Sequence, residues 1–283
     1  MLVPFGALFG LFVLYPVLRS LYLSFTFYNA VTEPRFVGLG NYLELFSDKA
    51  FLRAFWNTLV YALFTVSIST VLGLYLAFKL ASPRWWNVIL RSIFFLPMVS
   101  GSVAVINVWF LMFSSYKFGF VNNLLQRFGI APQAFLDNSD WIMPILILIG
   151  IWGGTGLSML LFLAGLRAIP HEVLEAAAID GAGPAQRFWR ITLPMLRPTS
   201  VYVTVTAGIA AFGLFNESYL LDQYTNRFDA VEAGTTLVAF LFRRGFTKFD
   251  LGLASSVAWV LFVLVFALSV INLRLGRFNE GNQ

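Results

Sequence analysis

Few side chains in this sequence could do chemistry. There is no cysteine, so no thiolate can bind a metal or close a disulfide, and the single histidine, His171, cannot by itself make a histidine metal centre or relay. No GxxxxGK[ST] phosphate loop, GxSxG elbow or HExxH helix occurs, and the neighbouring Asp137 and Asp140 have nothing beside them that would make a paired acid and base. What remains is a set of polar groups embedded in apolar runs: Asn107, Ser158 and the cluster Asn216, Glu217, Ser218, Tyr219. A carboxylate at membrane depth is costly unless it faces a wet cavity or a partner. Asn216 and Tyr219, three apart, share a helical face, while Glu217 lies on the next one round. An amide and a phenol on one face suit a polyhydroxy solute. Glu217 can orient Asn216, neutralise a cation or meet an amino group, and Asn107 and Ser158 are expected as opposite walls of the same polar site. Against this stands the plainer reading that these groups only join helices, at about 0.6 kcal/mol each.

The elements that must position them are membrane spans. Of 283 residues, 59% are hydrophobic and 12% charged, which is more apolar surface than a soluble core of that length hides. Six runs approach or exceed the roughly 20 residues that cross a bilayer: Met1 to Leu18, Trp56 to Phe78, Ser92 to Phe113, Trp141 to Leu166, Thr199 to Leu221 and Leu251 to Leu273. Only the fifth of these carries a charge, Glu217. The first has neither a basic flank nor a cleavage site, and is expected to be retained. No repeat or low-complexity linker appears, so the fold expected is one all-α integral membrane domain over residues 1–283 with six transmembrane helices. The net charge of +5 is spread over loops, with no basic run long enough to track nucleic-acid phosphates.

Three spans depart from plain apolar helix. The third carries Pro97, Gly101 and Asn107, which predict a kink followed by an amide at depth. The fourth gathers Gly150, Gly153, Gly154 and Gly156, best read as close packing. In the second, Asn57, Thr58, Ser67, Ser69 and Thr70 with Gly73 read as helix contacts.

Between the fourth and fifth runs lies a polar, basic island, Arg167 to Pro198. Pro170 suits a first helical position and Gly181 a left-handed residue past a helix end, predicting a helix from His171 to Asp180. Gly183 and Pro184 punctuate, and Ala185 to Thr192 reads as a second helix stopped by Pro194. The first helix is thin, with Ala176, Ala177 and Ala178, and Glu172 and Glu175 share a face. Phe188 and Trp189 call for a partner surface, either another protein or, through Trp189 with Arg187, Arg190 and Arg197, anionic membrane lipid. Loop cations number nine on each side of the membrane, but those on the island's side are denser and closer to span ends, which predicts a cytoplasmic island and, with six spans, cytoplasmic termini.

Glu175-Ala176-Ala177, then Asp180-Gly181, then Ile191-Thr192-Leu193-Pro194 resembles the EAA signature of the membrane subunits of binding-protein-dependent ABC importers. The LYPVLRSLYLSF, GLGNY, NTLVY, RSIFFLPMVSG and GFTKFDLGLASSVAWVLF stretches are similar to the carbohydrate-type branch, the maltose and glycerol-phosphate permeases. The resemblance covers most of the chain, with one departure: Tyr224-Thr225-Asn226-Arg227-Phe228 stands where many relatives have a Gly-Gly-Pro turn.

The resemblance implies a non-catalytic permease subunit of a bacterial or archaeal cytoplasmic membrane, importing a sugar or sugar-like solute. It implies that residues 167–198 form the coupling loop, with Glu175, Ala176, Ala177, Asp180, Gly181, Ile191, Leu193 and Pro194 meeting the ATPase. Its partners would be a second homologous permease, two ATPase subunits and an extracytoplasmic solute-binding protein. This chain itself would bind no cofactor, ATP and Mg residing on the ATPases. The rival class, an ion-coupled secondary transporter, would use midplane carboxylates and inverted repeats; one intramembrane acid and no repeat count against it.

Overall fold

The computed structural model describes residues 2–100, 102–115 and 119–277. The first span, Val3–Ser24, is one continuous helix in which α1 (Leu2–Phe9) passes through a π turn (Gly10–Leu14) into α2 (Tyr15–Ser24). It outlasts the expected end at Leu18 and takes in Arg19, whose guanidinium lies 5.3 Å from the Tyr22 ring centroid. A long cationic stem close to a helix end can carry its charge to the interface. The strands β1 (Thr26–Phe27) and β2 (Arg35–Phe36) pair antiparallel, with Thr26 opposite Phe36. They lead into α3 (Gly40–Ser47).

Stretches far apart in the chain meet here. Buried Asn41 donates to the carbonyls of Ser24 and Thr26, both at 2.9 Å, and the Ser256 hydroxyl donates to that same Ser24 carbonyl at 2.9 Å. A side chain at Gly252 would strike the Thr26 carbonyl. The end of the first span, the GLGNY turn and the start of the last span are thus one joint.

The second span is longer than the apolar run predicts. Asp48 accepts the N–H of Ala50 at 2.8 Å and so starts α4 (Lys49–Lys79) seven residues before Trp56. The third is broken. Pro97 sits inside α5 (Trp85–Val99) without ending it; Ser100 is extended, and α6 (Ser102–Met112) leaves at a bend of 102°. Gly101 lies outside the described residues. Counted as one broken span, the pair brings the five other membrane-length helical stretches among the described residues to six.

After α7 (Phe120–Arg127) comes α8 (Ser139–Arg167), the most buried of the spans, begun by Asn138 accepting the N–H of Asp140. The island holds α9 (His171–Ile179), α10 (Pro184–Arg187), a π turn (Phe188–Thr192) and α11 (Leu193–Met195). The fifth span is α12 (Arg197–Phe212), an interruption at residues 213–215, then α13 (Asn216–Leu220) and a 3-10 turn (Leu221–Gln223). Two further helices, α14 (Phe228–Gly234) and α15 (Leu237–Phe242), with a π turn over Arg243–Thr247, precede α16 (Leu251–Arg277).

Packing centres on α8. A Cβ at Gly73 of α4 would meet Ser158 and the Met159 backbone, one at Gly150 would meet the Tyr61 hydroxyl and Thr65, and one at Gly156 would strike the Phe94 carbonyl of α5. Gly150 and Gly156 are therefore close approaches of helices. Gly153 faces open space. Around this seam the apolar core divides by depth. Ala77, Met159, Phe162, Leu163 and Val203 cluster toward the island, whereas Leu45, Phe51, Leu237, Leu253 and Val257 cluster at the other face.

Candidate functional site

Two regions hold the residues singled out from the sequence. In the island, α9 has no buried side chain and packs on little besides α10. Glu175, Ala176 and Asp180 are exposed and Ala177 half-buried, while Ile179 is 87% exposed. Gly181 has φ +84°, and the chain closes the helix by donating Gly181 N–H to Ala178 (3.1 Å) and Ala182 N–H to Ala177 (2.9 Å). That is a left-handed glycine cap. Nothing lies within 4 Å of a Cβ built there, so the constraint is conformation and not space. Pro170 is one place earlier than expected, preceding the first helical turn with ψ 134°.

The second island helix corrects the sequence reading more substantially. It does not stop at Pro194. Leu193 donates its N–H to Phe188, five residues back, and the helix carries on through Pro194 to Met195. A proline cannot donate and its ring crowds the preceding turn; the wider π turn gives that ring room. The same device carries the first span past Pro16, where Tyr15 donates to Gly10. Phe188 packs edge-on against Phe78 of α4, centroids 5.1 Å apart, and so anchors the island to the end of the second span. Trp189 points outward, 65% exposed. Ile191, Leu193 and Pro194 are half-buried beneath it.

The second region is a cavity of about 500 Å³ inside the bundle. Tyr61, Thr65 and Ser69 of α4 line it at four-residue spacing, one helical face. Across from them stand Gly153 and Ser158 of α8, Thr206 of α12, and Asn216 and Glu217 of α13. The interruption after Gly213 sets those last two: with the helix broken at residues 213–215, α13 starts afresh and turns both side chains inward. Of the expected pair, Asn216 lines this cavity and Tyr219 does not. Tyr219 is one ring removed, stacked on Phe215 at 5.1 Å and against Phe242 at 5.1 Å. Asn107 does not line this cavity; its Oδ1 accepts the Tyr224 hydroxyl at 2.7 Å. Tyr224 is the first residue of the stretch that departs from the Gly-Gly-Pro turn of similar sequences.

Of the second-span polar groups expected as helix contacts, Ser69 and, beyond them, Thr65 lie at the cavity wall, while Asn57 and Thr58 serve the neighbouring helices. Asn57 and Thr58 instead hold α14 and α15, Asn57 donating to the carbonyls of Glu232 (3.0 Å) and Thr235 (2.9 Å). The Ser218 hydroxyl donates to Gly234 at 2.7 Å and accepts the N–H of Thr236 at 3.0 Å. Helix ends leave backbone groups without partners in their own helix, and here α4 and α13 supply them. The four-residue spacing of Tyr61, Thr65 and Ser69 was the available signal for the cavity wall.

Residues 69–279 match the family model described as "Binding-protein-dependent transport system inner membrane component". The chain belongs to that family. Every island and cavity residue predicted from the sequence falls inside the matched segment. Over 280 residues the permease is 34% identical to the arabinooligosaccharides transport system permease protein AraP of Bacillus subtilis (strain 168), covering 98% of this chain and 88% of that protein. It is 30% identical to the trehalose/maltose transport system permease protein MalF of Thermococcus litoralis, covering 99% and 93%. In fold it is similar to a chain of the bacterial alginate ABC transporter solved in complex with an alginate pentasaccharide-bound periplasmic protein, with a TM-score of 0.83 at 22% identity, covering 98% of this chain and 92% of that one. These matches favour the ATP-driven class over an ion-coupled secondary transporter.

Proposed function

We propose that this permease forms, with a second homologous permease, the pathway of an ABC importer for a sugar or sugar-like solute, and that residues 167–198 couple it to a pair of ATPase subunits. The observation that carries the coupling role is α9: a helix with no buried side chain, closed by a left-handed glycine, presenting Glu175 and a thin alanine surface away from the rest of the chain. A helix that buries nothing of its own is free to enter a cleft in another protein. ATP and Mg would be held by those ATPase subunits and not by this chain. Solute would arrive from an extracytoplasmic binding protein on the face opposite the island, placing the island and both termini in the cytoplasm.

The cavity supports the sugar class. Ser69, Ser158 and Thr206 and the amide of Asn216 line it with polar groups able to meet sugar hydroxyls, and Trp152 and Phe215 add flat apolar faces. The names of the relatives point the same way. In operation, closure of the ATPases would push the island as a lever, and its anchor, Phe188 on Phe78, would pass the motion to α4, one wall of the cavity.

The test is reconstitution of the full complex in lipid, followed by ATP hydrolysis with the binding protein loaded in turn with arabino-oligosaccharides, maltodextrins and trehalose. Stimulation by one of these supports the reading. Stimulation by none of them, with an amino-acid-loaded or phosphate-loaded binding protein active instead, overturns it.

A further inference from the structure

The helix α7 sits in the loop joining the third and fourth spans, at the end of α8 opposite the island. It is a small amphipathic helix with an unusual division of its surface. Asn122, fully buried, clamps it: its Nδ2 donates to the carbonyls of Ser114 (3.1 Å) and Gln133 (2.9 Å), and its Oδ1 accepts the N–H of Gln133 at 2.8 Å. Val121 and Leu125 pack beside it into the core cluster that holds Phe110, Phe135 and Leu136. Gly129, at φ +73°, closes the helix, with Ile130 N–H donating to Leu125 at 3.0 Å. The orientation of the helix is therefore fixed.

Despite that, one flank is apolar and bare. Phe120 is 60% exposed, Leu124 45% and Phe128 75%, and they recur every four residues as a single stripe. At about 100° per residue, Gln126 falls roughly opposite this stripe, Asn123 stands between, and Arg127 sits at the border of the stripe, about 20° from Phe120. The packed face of Val121, Asn122 and Leu125 separates the stripe from Gln126 on one side, and Arg127 adjoins the stripe on the other. A helix pressed sideways against a bundle, apolar on one flank and polar on the other, has the arrangement needed at a bilayer surface. Its depth agrees. The core it packs into also holds Trp109 and Phe113, at the end of α6, and Phe135, which meets Trp141 edge-on at the start of α8. These are span ends, where aromatic side chains gather at the headgroup level. The charge agrees too: Arg127 is the one ionisable side chain of α7, and its sign suits phospholipid headgroups.

We infer that α7 lies in the headgroup region of the leaflet opposite the island, with Phe120, Leu124 and Phe128 inserted among the acyl chains, as a lateral anchor for the broken third span. The inference is independent of which solute is carried.

This sequence has no cysteine, so each label on this subunit reports one position, provided the partner subunits are used in cysteine-free form. Single cysteines replace Phe128, Leu124 and Gln126 in the assembled transporter in nanodiscs of phosphatidylethanolamine and phosphatidylglycerol, each bearing a nitroxide. Power saturation is then measured with oxygen and with a water-soluble nickel chelate. Labels at Phe128→Cys and Leu124→Cys should relax more with oxygen than with nickel, and the label at Gln126→Cys the reverse. Nickel access at both 124 and 128 would overturn the proposal, and so would protection of both from either reagent, which would mean a protein surface covers them. Loss of nickel access only when the binding protein is added would assign the stripe to that protein.

Discussion

The hydroxyl of Thr58, in the second span, accepts the backbone N–H of Leu237 at 2.9 Å, and it donates in turn to the Ala54 carbonyl at 2.8 Å. Both residues are fully buried. Leu237 opens α15, so a side chain from another span does the work of a helix cap. Replacing Thr58 by Val removes the acceptor and leaves a buried N–H unpaired, at a cost of about 1–3 kcal/mol. Thr58→Val should lower the midpoint of thermal unfolding of the purified complex, and Thr58→Ser should largely preserve it. Equal midpoints for Val and wild type would mean the bond contributes nothing.

Two glycines three residues apart should behave differently. A methyl at Gly156 meets the Phe94 backbone carbonyl, which cannot swing aside as a side chain would, whereas a methyl at Gly153 enters open space. Gly156→Ala is expected to cost about 1–3 kcal/mol by overpacking and to reduce the yield of folded protein in detergent. Gly153→Ala should fold like wild type. Fluorescence-detected size exclusion of the two variants decides it.

At the island, Gly181→Val forces a β-branched side chain to φ +84°, a strain of about 1–3 kcal/mol. Glu175→Lys reverses the charge of an exposed face. Both variants should insert and pair with the sister permease, and both should lose several-fold in solute-stimulated ATP hydrolysis. Wild-type stimulation in the two together would remove the island from coupling.

For the cavity, Asn216→Ala should weaken uptake, because its side chain lines the space. Tyr219→Ala should leave solute affinity unchanged while loosening the ring stack with Phe215 and Phe242. Transport kinetics on matched amounts of complex separate the two. A larger loss of affinity in Tyr219→Ala would place the pathway on the other side of that stack.

Orientation is checked with a single cysteine at Ala185, which is exposed in α10. An impermeant maleimide should fail to label it on intact cells and label it in inverted vesicles. Labelling on intact cells would put the island outside.

What was legible in the sequence was set locally. Gly181 was found because a left-handed backbone angle is a demand of one residue, and five of the six spans because length and apolarity are summed along the chain. Pro194 misled because a proline normally stops a helix, and the π turn that carries the chain past it depends on five consecutive residues with no distinctive type. Arg19 was left outside the first span because the apolar run thins before the helix does. The helices α14 and α15 were missed for a different reason: they are seven and six residues long, and the groups that hold their ends come from Asn57, Thr58 and Ser218. The environments of Tyr219 and Asn107 are set by residues distant in sequence, the Phe242 ring for the first and the Tyr224 hydroxyl for the second, which spacing along one helix does not reveal.

The bareness of α9 has a thermodynamic consequence. A nine-residue helix that buries none of its side chains is too short to be stable by itself in water, so its helicity is an equilibrium that a partner can pull by mass action. Its amides should exchange with solvent deuterium fastest among the helices of the isolated permease and slow down in proportion to the occupancy of the cleft that receives it. Local order in this one segment is then a property of another protein's concentration, and a protease encountering an orphaned permease would find its first cutting place there.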